Sequence, residues 1–277
     1  MAHVRILTHG GSSSPAAHRD GTQRAAAAAR RAVSAGRPLA EAVLSAMDVL
    51  EDDPRFNAGT GSSLRGDHKT IQMDASFMFW RPTTKPAPPQ FGAVACIEAV
   101  RHPARVAFSL ALKGGALLCG PGATQFARRE GHARYDPTTE EARRRFAAFL
   151  RGSDTVGCVA TDGLEFAAAL SSGGLTGSPL GRIGDVPLPG CGLYAGPRGA
   201  AAFTGIGEEI LRRGAALRAY DRLARGIPAS TVLQEARELL GDVEFGCILL
   251  GPDTYAAGSN QDMAWSFVES TDEAAKR

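Results

Sequence analysis

Ser153-Asp154-Thr155-Val156-Gly157-Cys158-Val159-Ala160-Thr161 is the stretch from which fold and chemistry are read, because a polar loop turns there without a gap into a small-residue, β-prone run. Thr155 stands at the junction. A hydroxyl at the first residue of a buried strand has an ordinary use, a hydrogen bond that satisfies it. It also has a chemical one. Were the chain cut between Asp154 and Thr155, the new α-amine would lie beside the Thr155 hydroxyl, and an amine titrating near roughly 7.7–8.0 is a general base at neutral pH. Nucleophile and base would then be one residue. The stretch alone leaves both readings open.

Working outward, 277 residues with 44% hydrophobic and 22% charged residues describe an ordinary globular protein, and no internal repeat or long linker divides it. One domain made of two halves is expected. The formal net charge is only +2, with the arginines on helical stretches balanced by acidic residues, so no nucleic-acid partner is expected. No window approaches the eighteen or so apolar residues of a membrane span, and Met1-Ala2-His3-Val4-Arg5 lacks the pattern of a signal peptide. A cytoplasmic protein without a membrane partner follows. Five cysteines, without C-x-x-C spacing and mostly inside apolar runs, read as buried free thiols, and six scattered histidines offer no zinc-type site.

Upstream, Val4–Thr8 reads as a strand running into His9-Gly10-Gly11, where glycine permits close backbone approach or positive φ. Helices are expected over Pro15–Gly36 and Leu39–Leu50, then a polar, glycine-rich loop through Ser62. Strand character returns at Ile71–Trp80 and Phe91–Val100, separated by the proline-rich Arg81–Gln90. Asp74 inside the first of these is a carboxylate that must be hydrogen-bonded if it is buried. Helices at Pro103–Leu112 and Ala123–Glu130 flank a short strand at Ala116–Cys119. The charged Thr138–Arg151 leads to the junction and marks the expected break. Downstream the expectation is strands at Thr155–Thr161 and Glu165–Leu170, a turn over Ser171–Gly184, and strands at Cys191–Ala195 and Ala200–Thr204. Helices at Glu208–Arg225 and Ser230–Leu240 and strands at Phe245–Leu250, Thr254–Ala257 and Ala264–Phe267 complete the chain. Strands and helices in both halves suit sheets packed face to face with helices outside.

Several short motifs, in order, carry a resemblance: His9-Gly10-Gly11, Phe56-Asn57-Ala58-Gly59-Thr60-Gly61-Ser62, Met73-Asp74-Ala75-Ser76, Asp154-Thr155-Val156-Gly157, Gly173-Gly174, Gly181-Arg182-Ile183-Gly184-Asp185 and Thr204-Gly205-Ile206-Gly207-Glu208. Together they make nearly the whole chain resemble the plant-type asparaginase and isoaspartyl-peptidase family of N-terminal-nucleophile hydrolases, which also includes glycosylasparaginases. The resemblance implies an α+β fold, a four-layer αββα sandwich, and a precursor that cuts itself. The α chain would then be 1–154 and the β chain 155–277, with a dimer of αβ units expected. Thr155 is implied as nucleophile with Ser172 as a second hydroxyl beside it, and Asn57 close by. Thr204 and Gly205 are implied as oxyanion hole, and Arg182 and Asp185, with Gly207, as the clamp for the substrate's α-carboxylate and α-ammonium. The carbonyls of Leu50, Glu51, Asp53, Phe56, Ala58 and Thr60 correspond to a structural sodium loop. No cofactor is expected for catalysis.

The implied reaction is hydrolysis of the asparagine side-chain amide or of β-aspartyl dipeptides through an acyl-enzyme on Thr155. The alternatives are a glycosylasparaginase and an unprocessed binding protein of the same fold. Ser172 stands where the family often has threonine, Ser153 where histidine is common, and Phe79-Trp80 where Asp-Gly commonly follows Met78. Phe79, Trp80 and Arg81–Gln90 are expected at the rim of the pocket, offering apolar surface to the second residue of a dipeptide and favouring such dipeptides over free asparagine.

Overall fold

The computed structural model describes residues 3–148 and 155–271. Asp154, the upstream half of the expected cleavage site, lies outside the described residues, as does the end of Thr138–Arg151. The chain opens with β1 (His3–His9), a 3-10 turn at Ala16–His18, α1 (Arg19–Ser34) and α2 (Leu39–Asp52). Next come β2 (Met73–Trp80), β3 (Gln90–Ile97), α3 (Pro103–Leu112), β4 (Leu117–Cys119), α4 (Gly120–Arg129) and α5 (Glu140–Ala147). Thr155 leads into β5 (Val156–Thr161), β6 (Phe166–Ser172), β7 (Leu193–Gly196) and β8 (Gly199–Gly205). The last elements are α6 (Gly207–Arg213), α7 (Ala215–Ala224), α8 (Ala229–Leu240), β9 (Phe245–Leu250), β10 (Tyr255–Ser259) and β11 (Trp265–Thr271).

Two sheets form. The larger runs β11-β1-β5-β6-β2-β3-β4 and the smaller β10-β9-β8-β7. Helices α1 to α4 pack on the larger sheet and α6 to α8 on the smaller, while β1, β2, β5 and β6 meet β7, β8 and β9 across the space between. Three apolar cores result, one under each helical group and one between the sheets.

The two-residue period of a strand sorts side chains between these cores. In β5, Val156, Cys158 and Ala160 enter the core under α1 and α2, and Val159 enters the core between the sheets. In β6, Ala167 and Ala169 face the helices while Phe166, Ala168 and Leu170 face the other sheet. A strand buried on both faces needs apolar residues at consecutive positions, which is why β5 shows no alternation in its sequence. Alanine dominates where helix meets helix: Ala25, Ala29 and Ala32 repeat at helical spacing on the buried face of α1, against α2.

Some boundaries differ from expectation for physical reasons. The single helix expected over Glu208–Arg225 breaks at Gly214, which adopts a left-handed φ of 56° and stands as the cap that ends α6 and precedes α7. The expected turn over Ser171–Gly184 loses its first two residues to β6, because Ser171 and Ser172 pair with Ala75 and Asp74. The cysteines also divide: Cys96, Cys158 and Cys247 are buried, Cys191 is half-buried and Cys119 is exposed on the short β4 at the sheet edge. No helix among the described residues is long and apolar enough to cross a membrane.

Candidate active site

The same period that builds the inter-sheet core also builds a site at its end. Continuing the alternation of β5 one residue back puts Thr155 on the inter-sheet side with Val159. Ser172 follows Leu170 on β6, Asp74 precedes Met78 by four residues on β2, and Thr204 follows Ala202 on β8, all on the same side. Asp74 and Ser172 are direct cross-strand partners. These side chains therefore converge where β2, β5 and β6 meet β8, around a cavity of about 390 Å³ whose walls include Asp74, Thr155, Ser172, Arg182, Asp185, Gly205, Gly207 and Glu208.

Thr204 is the joint of the site. Its Oγ1 accepts from the backbone N–H of Ser12 at 3.2 Å and from that of Thr155 at 3.4 Å, tying β1's outgoing loop and the start of β5 to β8. Two accepted bonds use both lone pairs of the hydroxyl, so its own hydrogen is left to donate elsewhere. Ser172 Oγ accepts from the Gly174 N–H at 3.1 Å. His9 lies beneath the junction, opposite Gly157 in the ladder, where a Cβ would stand 2.3 Å from His9 Nε2. Complete burial pushes the His9 imidazole down to about 3, so it is neutral at working pH.

At the other end of the cavity, Arg182 Nε and Nη2 donate to the two carboxylate oxygens of Glu208 at 2.9 and 2.7 Å. This forked pair holds the Glu208 carboxyl below the usual carboxylate range. Asp185 is buried, and burial pushes its carboxyl up to about 7 against the pull of Arg182. Its Oδ2 has no hydrogen-bond partner among the described residues. Asp74 is likewise raised by burial, and its Oδ1 accepts from the Cys96 N–H at 2.8 Å. Two glycines are required by the crowding: a Cβ at Gly207 would stand 2.7 Å from Asp185 Oδ1, and one at Gly205, whose φ is 137°, would stand 2.2 Å from the Glu244 carbonyl oxygen.

Not every residue expected in the site reaches it. Asn57 is not part of the cavity wall: its Nδ2 donates to the Gly174 carbonyl at 2.7 Å and its Oδ1 accepts from the Ser63 N–H at 2.9 Å, so it holds the turn that carries Ser172 and Gly174. Phe79, Trp80 and Arg81–Gln90, expected at the rim, are not among the residues that line the cavity. Phe79 lies on the helix-facing side of β2, in edge contact with Phe77 and tilted contact with Phe108. Asp74 opens the cavity at one end of β2, and six residues at about 3.3 Å each place Trp80 roughly 20 Å away at the other. The strand's length, invisible in a motif, separates them.

The sequence reading passed over Arg65, Glu244 and the pairing of Glu208 with Arg182. Arg65 is wholly buried, donates to Ser178 Oγ and to the Gln72 carbonyl, both at 2.6 Å, and backs Gly174. Nothing local distinguishes it from a surface arginine. Glu208 stood in a quoted motif, yet its partner lies 26 residues upstream.

The loop expected to bind sodium curls back on itself: the Thr60 N–H donates to the Glu51 carbonyl at 2.7 Å and the Phe56 N–H to the Asp53 carbonyl at 3.1 Å. Each carbonyl keeps a second lone pair, and neutral oxygens suit a hard monovalent cation. Leu50, Glu51, Phe56 and Ala58 are buried there, and Gly59 turns the chain with a φ of 51°. Phe56 also reaches the first glycine motif, since a Cβ at Gly10 would stand 2.4 Å from its ring.

A fold of facing sheets with hydroxyls, a guanidinium and carboxylates gathered at one end is matched by a family model described as asparaginase, over residues 4–152 and 147–275, and the chain belongs to that family. Among its relatives, a plant-type L-asparaginase of Pyrococcus abyssi is 36% identical over 266 residues, covering 85% of each chain. The plant-type L-asparaginase of Pyrococcus furiosus is 35% identical, over 91% of this chain and 88% of its own. An isoaspartyl peptidase/L-asparaginase of Mus musculus is 33% identical, over 86% of this chain and 76% of its own.

Proposed function

We propose that this chain is a self-processing amidohydrolase of the N-terminal-nucleophile type, a four-layer αββα sandwich that hydrolyses L-asparagine and β-aspartyl bonds through an acyl-enzyme on Thr155. One observation carries the reading. The main-chain nitrogen of Thr155, the atom that cleavage after Asp154 would turn into an amine, bonds to Thr204 Oγ1 in the same cavity as Arg182 and Asp185.

The steps follow from the groups present. The α-carboxylate of the substrate sits on the Arg182 hydrogens that Glu208 does not use, and its α-ammonium on Asp185 Oδ2. The freed Thr155 amine takes the proton of the Thr155 hydroxyl as that oxygen attacks the side-chain amide carbon. Charge developing on the amide oxygen meets the Thr204 hydroxyl hydrogen and the Gly205 N–H. The ammonium of Thr155 then protonates the departing amine, leaving an ester on Thr155. Water attacks that ester and gives up a proton to the amine; the bond from the acyl carbon to the Thr155 oxygen then breaks, the ammonium returns the proton to that oxygen, and aspartate leaves. Ser172 holds the nucleophilic hydroxyl in place. Gly207 leaves room for the clamp. A sodium ion on the carbonyls of Leu50, Glu51, Asp53, Phe56, Ala58 and Thr60 would stiffen the loop that carries Asn57, without entering the reaction. The active unit is an αβ pair of 1–154 and 155–277, assembled as a dimer.

N-terminal sequencing of the purified protein tests the core of this reading. Two fragments are expected, the smaller beginning at Thr155, with ammonia released from asparagine. Thr155→Ala should give one folded, inactive chain, and a cleaved, active alanine variant would sink the proposal.

A further inference from the structure

We infer that Asp74 is a positioning residue for the proposed reaction: its buried carboxylate, seated opposite a bulge in β3, holds the Arg182–Asp185 turn so that the Arg182 guanidinium stands ready for the substrate's α-carboxylate. The inference rests on the amidohydrolase reading and gives a role to a cavity residue that its steps leave unused. In the register of β2 and β3, Met73 pairs with Ile97 and Ala75 with Val94, so Asp74 alone stands opposite two residues, Ala95 and Cys96. Cys96 absorbs the extra length with a φ of 48°, a left-handed conformation that a residue with a Cβ adopts only under constraint. Its N–H is met by Asp74 Oδ1 at 2.8 Å.

The same bulge reaches the turn that carries the proposed clamp. The Cys96 thiol donates to the Arg182 carbonyl at 3.8 Å, and the Gly184 N–H is a further donor to the Asp74 carboxylate. Both ends of the Arg182–Gly184 run are thereby tied to one point of the larger sheet. The guanidinium folds back over that run, since a Cβ at Gly184 would stand 3.2 Å from Arg182 Nη1. Fixing the Gly184 peptide therefore fixes the surface on which the guanidinium rests, while Glu208 takes its Nε and Nη2. On its other side Asp74 pairs with Ser172, so the turn is set by the strand that also borders that hydroxyl.

The surroundings of the carboxyl call for an acid. Two N–H groups donate to it, and the positive charges of Arg65 and Arg182 act on it, with Arg65 itself wholly buried. Asp185 is the acidic neighbour that it works against. An amide of the same shape would keep one acceptor oxygen for the Cys96 N–H but turn its own NH2 toward donors and cations. Donor against donor displaces the Gly184 peptide and the guanidinium beside it. The loss falls on how tightly the aspartyl group is held and much less on the bond that breaks, because Thr155 and Thr204 are joined by a separate bond.

The experiment measures steady-state kinetics for L-asparagine and calorimetric binding of L-aspartate, using the processed wild type, Asp74→Asn and Asp74→Ser. Both variants should raise KM and the aspartate Kd by about tenfold and lower kcat by less than about threefold, the pattern of weakened substrate binding. In an Arg182→Lys background, Asp74→Asn should lower kcat/KM by about threefold or less, because the group it positions is gone. Unchanged KM and Kd, a loss carried by kcat alone, or an undiminished effect beside Arg182→Lys would overturn the inference. Failure of both variants to fold or mature would overturn it as well, since Asp74 would then serve the fold. If a chain cut at Thr155 releases no ammonia from asparagine, the amidohydrolase reading fails, and the aspartate affinities of wild type and Asp74→Asn decide the positioning role, equal values overturning it. A wild type that binds no aspartate overturns both.

Discussion

On the proposed reading, the single buried carboxyl of Asp185 would couple substrate binding to pH. Burial raises it to about 7, so its charged form, the one that accepts an α-ammonium, develops only as pH climbs through neutrality. The expected outcome is a kcat/KM for asparagine that rises between roughly pH 6 and 8, with Asp185→Asn removing that part of the slope and raising KM more than it lowers kcat. The sign for stability is opposite. A carboxyl held above its unfolded pKa stabilises the fold fully below the ordinary carboxylate range, and that contribution is lost as pH rises through about 7. Arg182 is the other half of the proposed clamp. Losing a forked, charge-assisted contact of roughly 3–4 kcal/mol, Arg182→Ala should lower kcat/KM by about two to three powers of ten, measured under steady-state conditions. Unchanged kinetics would mean that Arg182 only neutralises Glu208.

Between residue and fold, the turn after β6 depends on a side chain from a distant loop. Asn57 bonds to the Gly174 carbonyl and the Ser63 N–H, and the Asn57 carbonyl accepts from the Gly173 N–H at 2.8 Å. Asn57→Ala leaves a buried donor and a buried acceptor unpaired, each worth about 1–3 kcal/mol. A denaturant midpoint lowered accordingly, with a fall in kcat as Ser172 loses its fixed place, is the expected result. An alanine variant as stable as the parent would show that the turn holds itself. In the helical layer over the smaller sheet, Gly214 separates α6 from α7 in a left-handed conformation. Gly214→Ala should cost about 1–2 kcal/mol of thermal stability while leaving Arg182 and Asp185 in place.

Across the whole molecule, the core between the sheets positions one half of the site against the other. Ser172 and Asp74 belong to the larger sheet, with Thr155 immediately before its strand β5, and Thr204 and Gly205 belong to the smaller. Leu170 is fully buried between the two, two residues before Ser172. Leu170→Ala should destabilise the protein by about 2–5 kcal/mol in chemical unfolding, the range for a leucine-sized cavity. Because the cavity opens beside the junction, slower appearance of the Thr155 fragment on denaturing gels should accompany the loss.

Much of this was legible in order along the chain. Runs of small and β-branched residues marked most strands, alanine at helical spacing marked α1, and Asp154-Thr155 with the motifs around it marked the family, because periodicity and turn chemistry are local properties. What local pattern could not carry was the partner at a distance. That Glu208 occupies Arg182, that Asn57 holds Gly174 and stays out of the cavity wall, and that Arg65 is buried are decided by contacts between segments far apart in sequence. Phe79 misses the cavity for a different reason: it shares a strand with Asp74, but their odd and even positions send one to the helices and the other to the space between the sheets. Sequence alone determined which residues were available for the chemistry. Only the packing of two sheets, which joins one end of β2, β5 and β6 to β8, decided which of them face each other.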